Sequence, residues 1–328
     1  MRGVSGTIDL EAPGAACGWI GDVAMFASGD GEVFALRNGE AARRRAHDGA
    51  VLCACPHPDG ASWLTGGDDG RVLATRPGAA PVEIARFKGK LVDHLVASAA
   101  SGVIAAGVGK TAHVFPRGAA QGAHAFTYPS TIGGLALDAK GRKLVASHYG
   151  GATVRYALMA EDAGVALRWA GSHLAATMSP DGDYVLTAMQ EMELHGWRLP
   201  EKTDLRMSGY AAKTKSFSWD RRGRWLATSG APCAVVWPFV GKTGPQNKAP
   251  VMVAEREALV TQVAFHPRED RIAIGYADGA VHAATLDPAG EARLVAPAGA
   301  AIAALAWRAD GAALAFADEA GAAGVLML

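Results

Sequence analysis

The sequence predicts an all-β fold made from one small unit repeated along the chain. Three observations carry that prediction. First, the stretch PHPDGASWLTGGDDGRVLATR, residues 56–76, reads as turn, apolar strand, Gly/Asp turn and second apolar strand. The same order restarts at Gly102, Gly141, Gly182, Gly223, Glu269 and Gly311 when Gly60 is taken as origin, and a shorter version starts at Gly21. Second, Gly21 to Gly311 is 290 residues in seven steps, about 41 per step, a period at which each unit can be one supersecondary element that buries its apolar face on its neighbours. Third, half of the 328 residues are hydrophobic and 41 are glycine, a composition suited to many short strands joined by tight turns.

The columns of this frame justify each element in turn. Four positions before the origin stand Leu137, Met178, Trp219, Phe265 and Trp307, and six before it Val96, Leu135, Phe217, Val263 and Leu305. Alternate residues share one face of a strand, so these mark the first strand of each unit. Between them lies a column that is small in every full unit: Cys55, Ala97, Ala136, Thr177, Ser218, Ala264 and Ala306. A uniformly small column predicts a neighbouring sheet in close approach. Nine positions after the origin come Asp30, Asp69, Glu191 and Asp278, with Gly31, Gly70 and Gly279 one residue later. Asp-Gly supplies the positive φ of a tight hairpin, so the adjacent acids Asp68 and Asp69 read as turn chemistry before they read as catalysis.

The segment AHDGAVLCACPHPDGASWLTGGDDGRVLATR resembles the WD40 repeat, and the resemblance extends in register over nearly the whole chain. It implies a WD40-type β-propeller forming a single domain over residues 1–328. Eight frame origins predict eight blades; the short first unit leaves seven as the alternative. The last unit supplies only three strands, so GTIDLEA near the N-terminus is expected to add the fourth and close the last blade. The family's structural tetrad of His, Ser/Thr, Asp and Trp maps here to His47, Thr65 and Asp69, with Thr75 where Trp is expected. No unit carries all four residues. Trp197 and Trp237 sit at or beside the Trp column, but Glu191 and Pro232 replace the acid. Apolar packing, rather than polar tetrads, is therefore expected to hold the blades together.

Charge and composition narrow the functional classes. The chain balances 32 basic against 32 acidic residues, so no single-signed field is offered to nucleic acid or an anionic membrane. The basic groups at residues 43–45 and 221–224 read as solvated surface. The N-terminal stretch lacks an apolar signal core, and no run reaches the ~18 apolar residues of a membrane span, which makes a cytoplasmic location the expectation. Cys17, Cys53, Cys55 and Cys233 show no disulfide-framework spacing, consistent with a reducing compartment.

Several motifs imitate catalytic ones. GVGKT, residues 107–111, has the end of a phosphate-binding loop, but Ile104 stands where that motif needs glycine and the frame places the segment in a hairpin. VGKTG around Lys242 fails in the same way. A metal reading attaches to Cys53, Cys55 and His57, because alternate strand residues could converge on a soft cation such as zinc. Against it, Cys53 and Cys55 fill columns that other units give to small residues. His113, His195 and His282 fall on third strands, as surface or hydrogen-bonded histidines. No nucleophile-base constellation is present, and no cofactor is implied.

The remaining polar residues suggest where a partner would meet the fold. WD40 topology gathers first-strand starts and second hairpins at one rim, here Asp93, His94, His148, Tyr149, His173, Lys215 and Gln262. The expectation is a non-enzymatic scaffold presenting that rim to a protein or peptide, with a zinc-handling accessory using Cys53, Cys55 and His57 as the alternative. A rival contact surface is the turn-rich loop at residues 238–250.

Overall fold

In the computed structural model of the chain, the described residues are 4–118, 121–199, 201–241, 243–287 and 290–328. Lys242, in the second phosphate-loop imitation and the rival loop, lies outside them. The described residues form seven antiparallel sheets. Six have four strands: β2 (Gly14–Ile20), β3 (Val23–Ser28), β4 (Glu32–Arg37) and β5 (Glu40–Arg45); β6 (Val51–Pro56), β7 (Trp63–Gly67), β8 (Arg71–Thr75) and β9 (Val82–Arg86); β10 (His94–Ser98), β11 (Val103–Val108), β12 (Thr111–Phe115) and β13 (His124–Thr127); β20 (Phe217–Trp219), β21 (Trp225–Thr228), β22 (Ala234–Pro238) and β23 (Val251–Val253); β24 (Val260–Phe265), β25 (Arg271–Tyr276), β26 (Val281–Thr285) and β27 (Ala292–Val295); and β28 (Ile302–Trp307), β29 (Ala313–Asp318) and β30 (Ala322–Met327), with β1 (Val4–Asp9) as fourth strand.

The seventh sheet has six strands: β14 (Gly134–Leu137), β15 (Lys143–Tyr156), β16 (Val165–Met178), β17 (Tyr184–Met189), β18 (Leu194–Arg198) and β19 (Thr203–Met207). Its two long strands each do the work of two. Residues 144–147 of β15 pair with β14, while residues 149–154 pair with the first half of β16; the second half of β16, from His173, pairs with β17. Between the halves of β15 the chain doubles back, since Ala157 N donates to Arg142 O at 2.7 Å and Gly150 and Gly151 take φ of 85° and 137°. The six-stranded sheet thus carries two frame units, and eight units fold into seven hydrogen-bonded sheets.

The closing strand forms as expected from the sequence. β1 runs antiparallel to β30, with Thr7 opposite Gly324 and Asp9 opposite Ala322. Its free edge would otherwise belong to β30, whose N–H and C=O groups need partners.

By internal contacts the chain divides into two compact units, residues 1–28, 36–41 and 208–328 in one and residues 29–35 and 42–207 in the other. In both, second strands such as β3, β11, β17 and β29 are buried at every position and predominantly apolar, whereas fourth strands such as β5 are largely exposed. Apolar clusters join consecutive repeats. Leu144, Ala146, Val103 and Phe126 share one, and Val236, Val263, Ile272 and Ile274 another.

Polar bonds outside any tetrad add to this apolar packing. Ser216 Oγ accepts from Val263 N at 3.1 Å and Ser218 Oγ from Phe265 N at 2.8 Å, so hydroxyls in and beside the small column stitch β20 to β24. Trp307 Nε1 donates to Ala264 O and Trp19 Nε1 to Ala306 O, each at 2.9 Å. The need for small residues is geometric. A Cβ added at Gly134 would lie 2.5 Å from Ala176 N, because β14 and the second half of β16 approach backbone to backbone.

GVGKT is a hairpin: Val108 pairs with Thr111, closing β11 and β12 around Gly109 at φ 58°. Among the described residues, no helix is long and apolar enough to cross a membrane.

Candidate docking site

The turn acid of the second repeat anchors a polar cluster. His47 Nδ1 donates to Asp69 Oδ1 at 2.9 Å, and its Nε2, the acceptor in the neutral ring, takes the Thr65 hydroxyl proton at 2.9 Å. Asp69 also accepts from Asp48 N, Arg71 N and Arg71 Nε. Thr75 Oγ1, in the column where Trp is expected, is buried without a hydrogen-bond partner. A second version follows later in the chain: Trp237 Nε1 donates to Tyr210 Oη at 2.8 Å, Tyr210 Oη lies 2.7 Å from Thr228 Oγ1, and Thr228 donates to Val235 O. Tyr210 thus stands in for the histidine. A third uses Arg256, which meets Asp278 Oδ2 at 2.8 Å. These clusters fasten loops to strands.

The rim residues separate into buried and exposed sets. His148 and His173 are buried. Burial lowers the His173 pKa; its Nε2 donates to Trp169 O and its Nδ1 lies 2.7 Å from Thr187 Oγ1. These histidines are bonded within the fold and offer no free ring nitrogen, contrary to the reading of them as partner contacts. Asp93 and His94 are half-buried, and His94 Nε2 donates to Ile132 O at 3.2 Å. Lys215 is exposed and Gln262 half-buried in the other compact unit. Tyr149 is the outlier, 69% exposed.

Tyr149 stands at the tip where β15 doubles back, and its backbone is held on both sides. Its N–H donates to Ser130 Oγ at 2.9 Å, and its carbonyl accepts from His148 Nδ1 at 3.0 Å. His148 Nε2 then accepts from Thr153 Oγ1 at 2.9 Å in the neutral ring, which spans the hairpin. Beside this tip opens a cleft of about 550 Å³ lined by Pro129, His148, Tyr149, Thr153, Arg168 and Trp169 among others. Arg168, opposite Gly151 on β16, is exposed. Trp169 is half-buried and stacks on His195, with ring centroids 4.0 Å apart and planes 15° from parallel. His195 meets Trp197 edge-on, so the cleft wall rests on a buried aromatic column. Burial lowers the His195 pKa against the opposing pull of Asp204, favouring the uncharged stacked ring.

Sequence reasoning found His148 and Tyr149 but missed Arg168 and Trp169. A signal existed: Trp169 precedes Thr187 by 18 residues, the spacing that joins His47 to Thr65 and Tyr210 to Thr228. Of the third-strand histidines, His282 is hydrogen-bonded to Arg256 and Glu291, as one of the two sequence readings has it, His195 is buried against Trp169, and the His113 ring centroid lies 4.3 Å from that of Phe87.

The metal reading of Cys53, Cys55 and His57 is not supported. Among the described residues, no group of three His, Cys, Asp or Glu could hold an ion. Cys53 Sγ donates to Val92 O, both thiols pack against the cluster of Leu64, Val72 and Leu95, and His57 Nδ1 accepts from Asp59 N. Burial pushes the Cys55 thiol up to about 12, away from the thiolate a metal requires.

Comparison with known proteins places this architecture. Residues 40–73, which contain His47, Thr65 and Asp69, match the family described as WD domain, G-beta repeat. No curated protein matches the chain. The computationally designed Ika8 protein is similar at a TM-score of 0.80 and 14% identity, over 99% of this chain and 100% of that one. A chain in the crystal structure of a mitotic checkpoint complex is similar at a TM-score of 0.66 and 14% identity, over 100% of this chain and 92% of that one. Likeness at such identities is likeness of fold, and the polar cluster around Asp69 falls inside the matched repeat. The chain is therefore an all-β, WD40-type β-propeller carrying a WD domain, G-beta repeat at residues 40–73.

Proposed function

We propose that this chain is a non-enzymatic scaffold that binds a protein or peptide partner in the cleft beside Tyr149. One observation carries the reading: a large aromatic ring is exposed while the backbone on both sides of it is clamped by Ser130 and His148. Such a ring loses little conformational freedom on binding, and aromatic and arginine side chains are the usual energetic anchors of interfaces. Arg168 and Trp169 supply the neighbouring guanidinium and indole. Both ring nitrogens of His148 are occupied in holding the hairpin, which favours recognition over proton transfer. A cytoplasmic setting belongs to this proposal and rests on four free cysteines; the balanced charge favours a protein partner over nucleic acid or membrane.

Quantitative affinity capture tests it. The Tyr149→Ala, Arg168→Ala double variant, confirmed folded by circular dichroism, is expected to lose a specific partner that wild type retains. A deletion within residues 238–250 is expected to retain it. The reverse pattern would transfer the site to that loop.

A further inference from the structure

A second surface lies where the fourth and fifth repeats meet, away from the Tyr149 tip. Thirteen large hydrophobic side chains are exposed among the described residues, and four of them fall within residues 156–165: Tyr156 at 51%, Leu158 at 52%, Met159 at 57% and Val165 at 42%. Exposed apolar groups scattered singly need no explanation, but a cluster on one loop marks a contact surface. The loop that carries them is braced. Asp162 accepts from Tyr156 N at 2.5 Å and from Gly164 N at 3.1 Å, and Arg155 donates to Asp162 O. The apolar groups are therefore displayed on fixed backbone.

Beside the loop is a cleft of about 260 Å³ whose apolar walls are Val154, Tyr156, Val165 and Leu199. Its charged rim is lopsided. Lys143, Arg155 and Lys202 contribute three cations against Asp162, whose oxygens are already taken by the loop's own backbone. Lys143 Nζ donates to Gly182 O and Arg155 to Asp162 O, and the Arg155 guanidinium also lies over the Phe126 and Tyr128 rings, 4.9 and 5.7 Å from their centroids, so neither cation is neutralised by a carboxylate. No carboxylate lies within ion-pair distance of the three among the described residues.

The geometry points to a second docking surface, formed by the 156–165 loop and the Lys143–Lys202 cleft, for an acidic segment of a partner protein that inserts an aliphatic or aromatic side chain. The apolar walls take the inserted side chain, and the flanking carboxylates meet the uncompensated cations. Attraction of this kind sets specificity and association rate and weakens with salt.

The test is selection of a random-peptide phage library on the full chain, followed by binding measurements with the enriched peptide synthesised free. The expected peptides combine aliphatic or aromatic residues with Asp or Glu. Their affinity should fall about tenfold or more in Met159→Ser and in Lys202→Glu, changes at exposed positions that leave the fold intact, and should fall with added salt. Tyr149→Ala should leave it unchanged. Enrichment of neutral or basic peptides, no enrichment, or an affinity indifferent to both the Met159→Ser and the Lys202→Glu changes would overturn the proposal. Concentration-dependent self-association abolished by Met159→Ser would also overturn it, by making a second copy of the chain the occupant. Loss of the peptide with Tyr149→Ala alone would overturn it while leaving the Tyr149 cleft supported.

Discussion

His47 and Asp69, 22 positions apart, are joined at 2.9 Å, and Asp69 also accepts from Asp48 N, next to His47, and from Arg71 N at the start of β8. Burial alone would raise the Asp69 carboxyl, but the bonds from His47, Arg71 and Asp48 outweigh it and hold the group well below the usual carboxylate range. Asp69→Ala should cost about 2 kcal/mol in urea unfolding, the scale of charge-assisted hydrogen bonds lost together. Asp68→Ala, at an exposed side chain, should cost far less. Equal losses would show that the turn does not depend on the Asp69 carboxylate.

Four histidines bias stability toward neutral pH. Burial is the largest cause lowering the pKa of His47, His113, His173 and His195. A depressed folded pKa means that the unfolded chain binds protons first. Their contribution is thus complete above the unfolded value of about 6.5 and is lost as pH falls through the folded values. The thermal midpoint should decline between about pH 7 and pH 5, before most carboxylates titrate. A flat profile across that window would contradict the burial of these rings.

A close backbone approach between repeats gives a packing test. Gly134→Ala places a Cβ against Ala175 and Ala176 main chain, which cannot move as a flexible side chain would. The expected loss is about 2 kcal/mol or more, from overpacking between β14 and β16. An unchanged thermal midpoint would mean that these strands are not in contact.

The cysteines should behave as core residues. With Cys55 held up to about 12 and Cys53 also raised by burial, native protein at pH 8 should react with thiol reagents far more slowly than urea-unfolded protein. Stoichiometric zinc in the purified protein, lost with Cys55→Ser, would reverse this and restore the metal reading.

The repeat frame was legible because Asp-Gly turns and small columns recur wherever the backbone needs positive φ or close approach. Gly70, at φ 76°, would bring a Cβ within 2.2 Å of Phe87 O, so only glycine fits. The frame also located Tyr149, since hairpin tips fall at fixed offsets. It could not tell which way a side chain at a strand start turns. His148 and His173 share that zone with Tyr149, yet they bury because Thr153 and Thr187 offer hydroxyls inside the fold. Arg168 and Trp169 were hidden for another reason. They lie on β16, which runs from one repeat into the next, and a pattern that treats each unit separately leaves that junction without a role.

On the proposed function, a partner docks at Tyr149. The most direct measurement replaces Tyr149 with a photo-reactive benzoylphenylalanine and irradiates the full chain in cell extract, with the same residue at exposed Met252 as control. The expected result is one discrete cross-linked partner from position 149 that is absent from position 252. Cross-linking of the same proteins from both positions, or of none from position 149, would contradict the account.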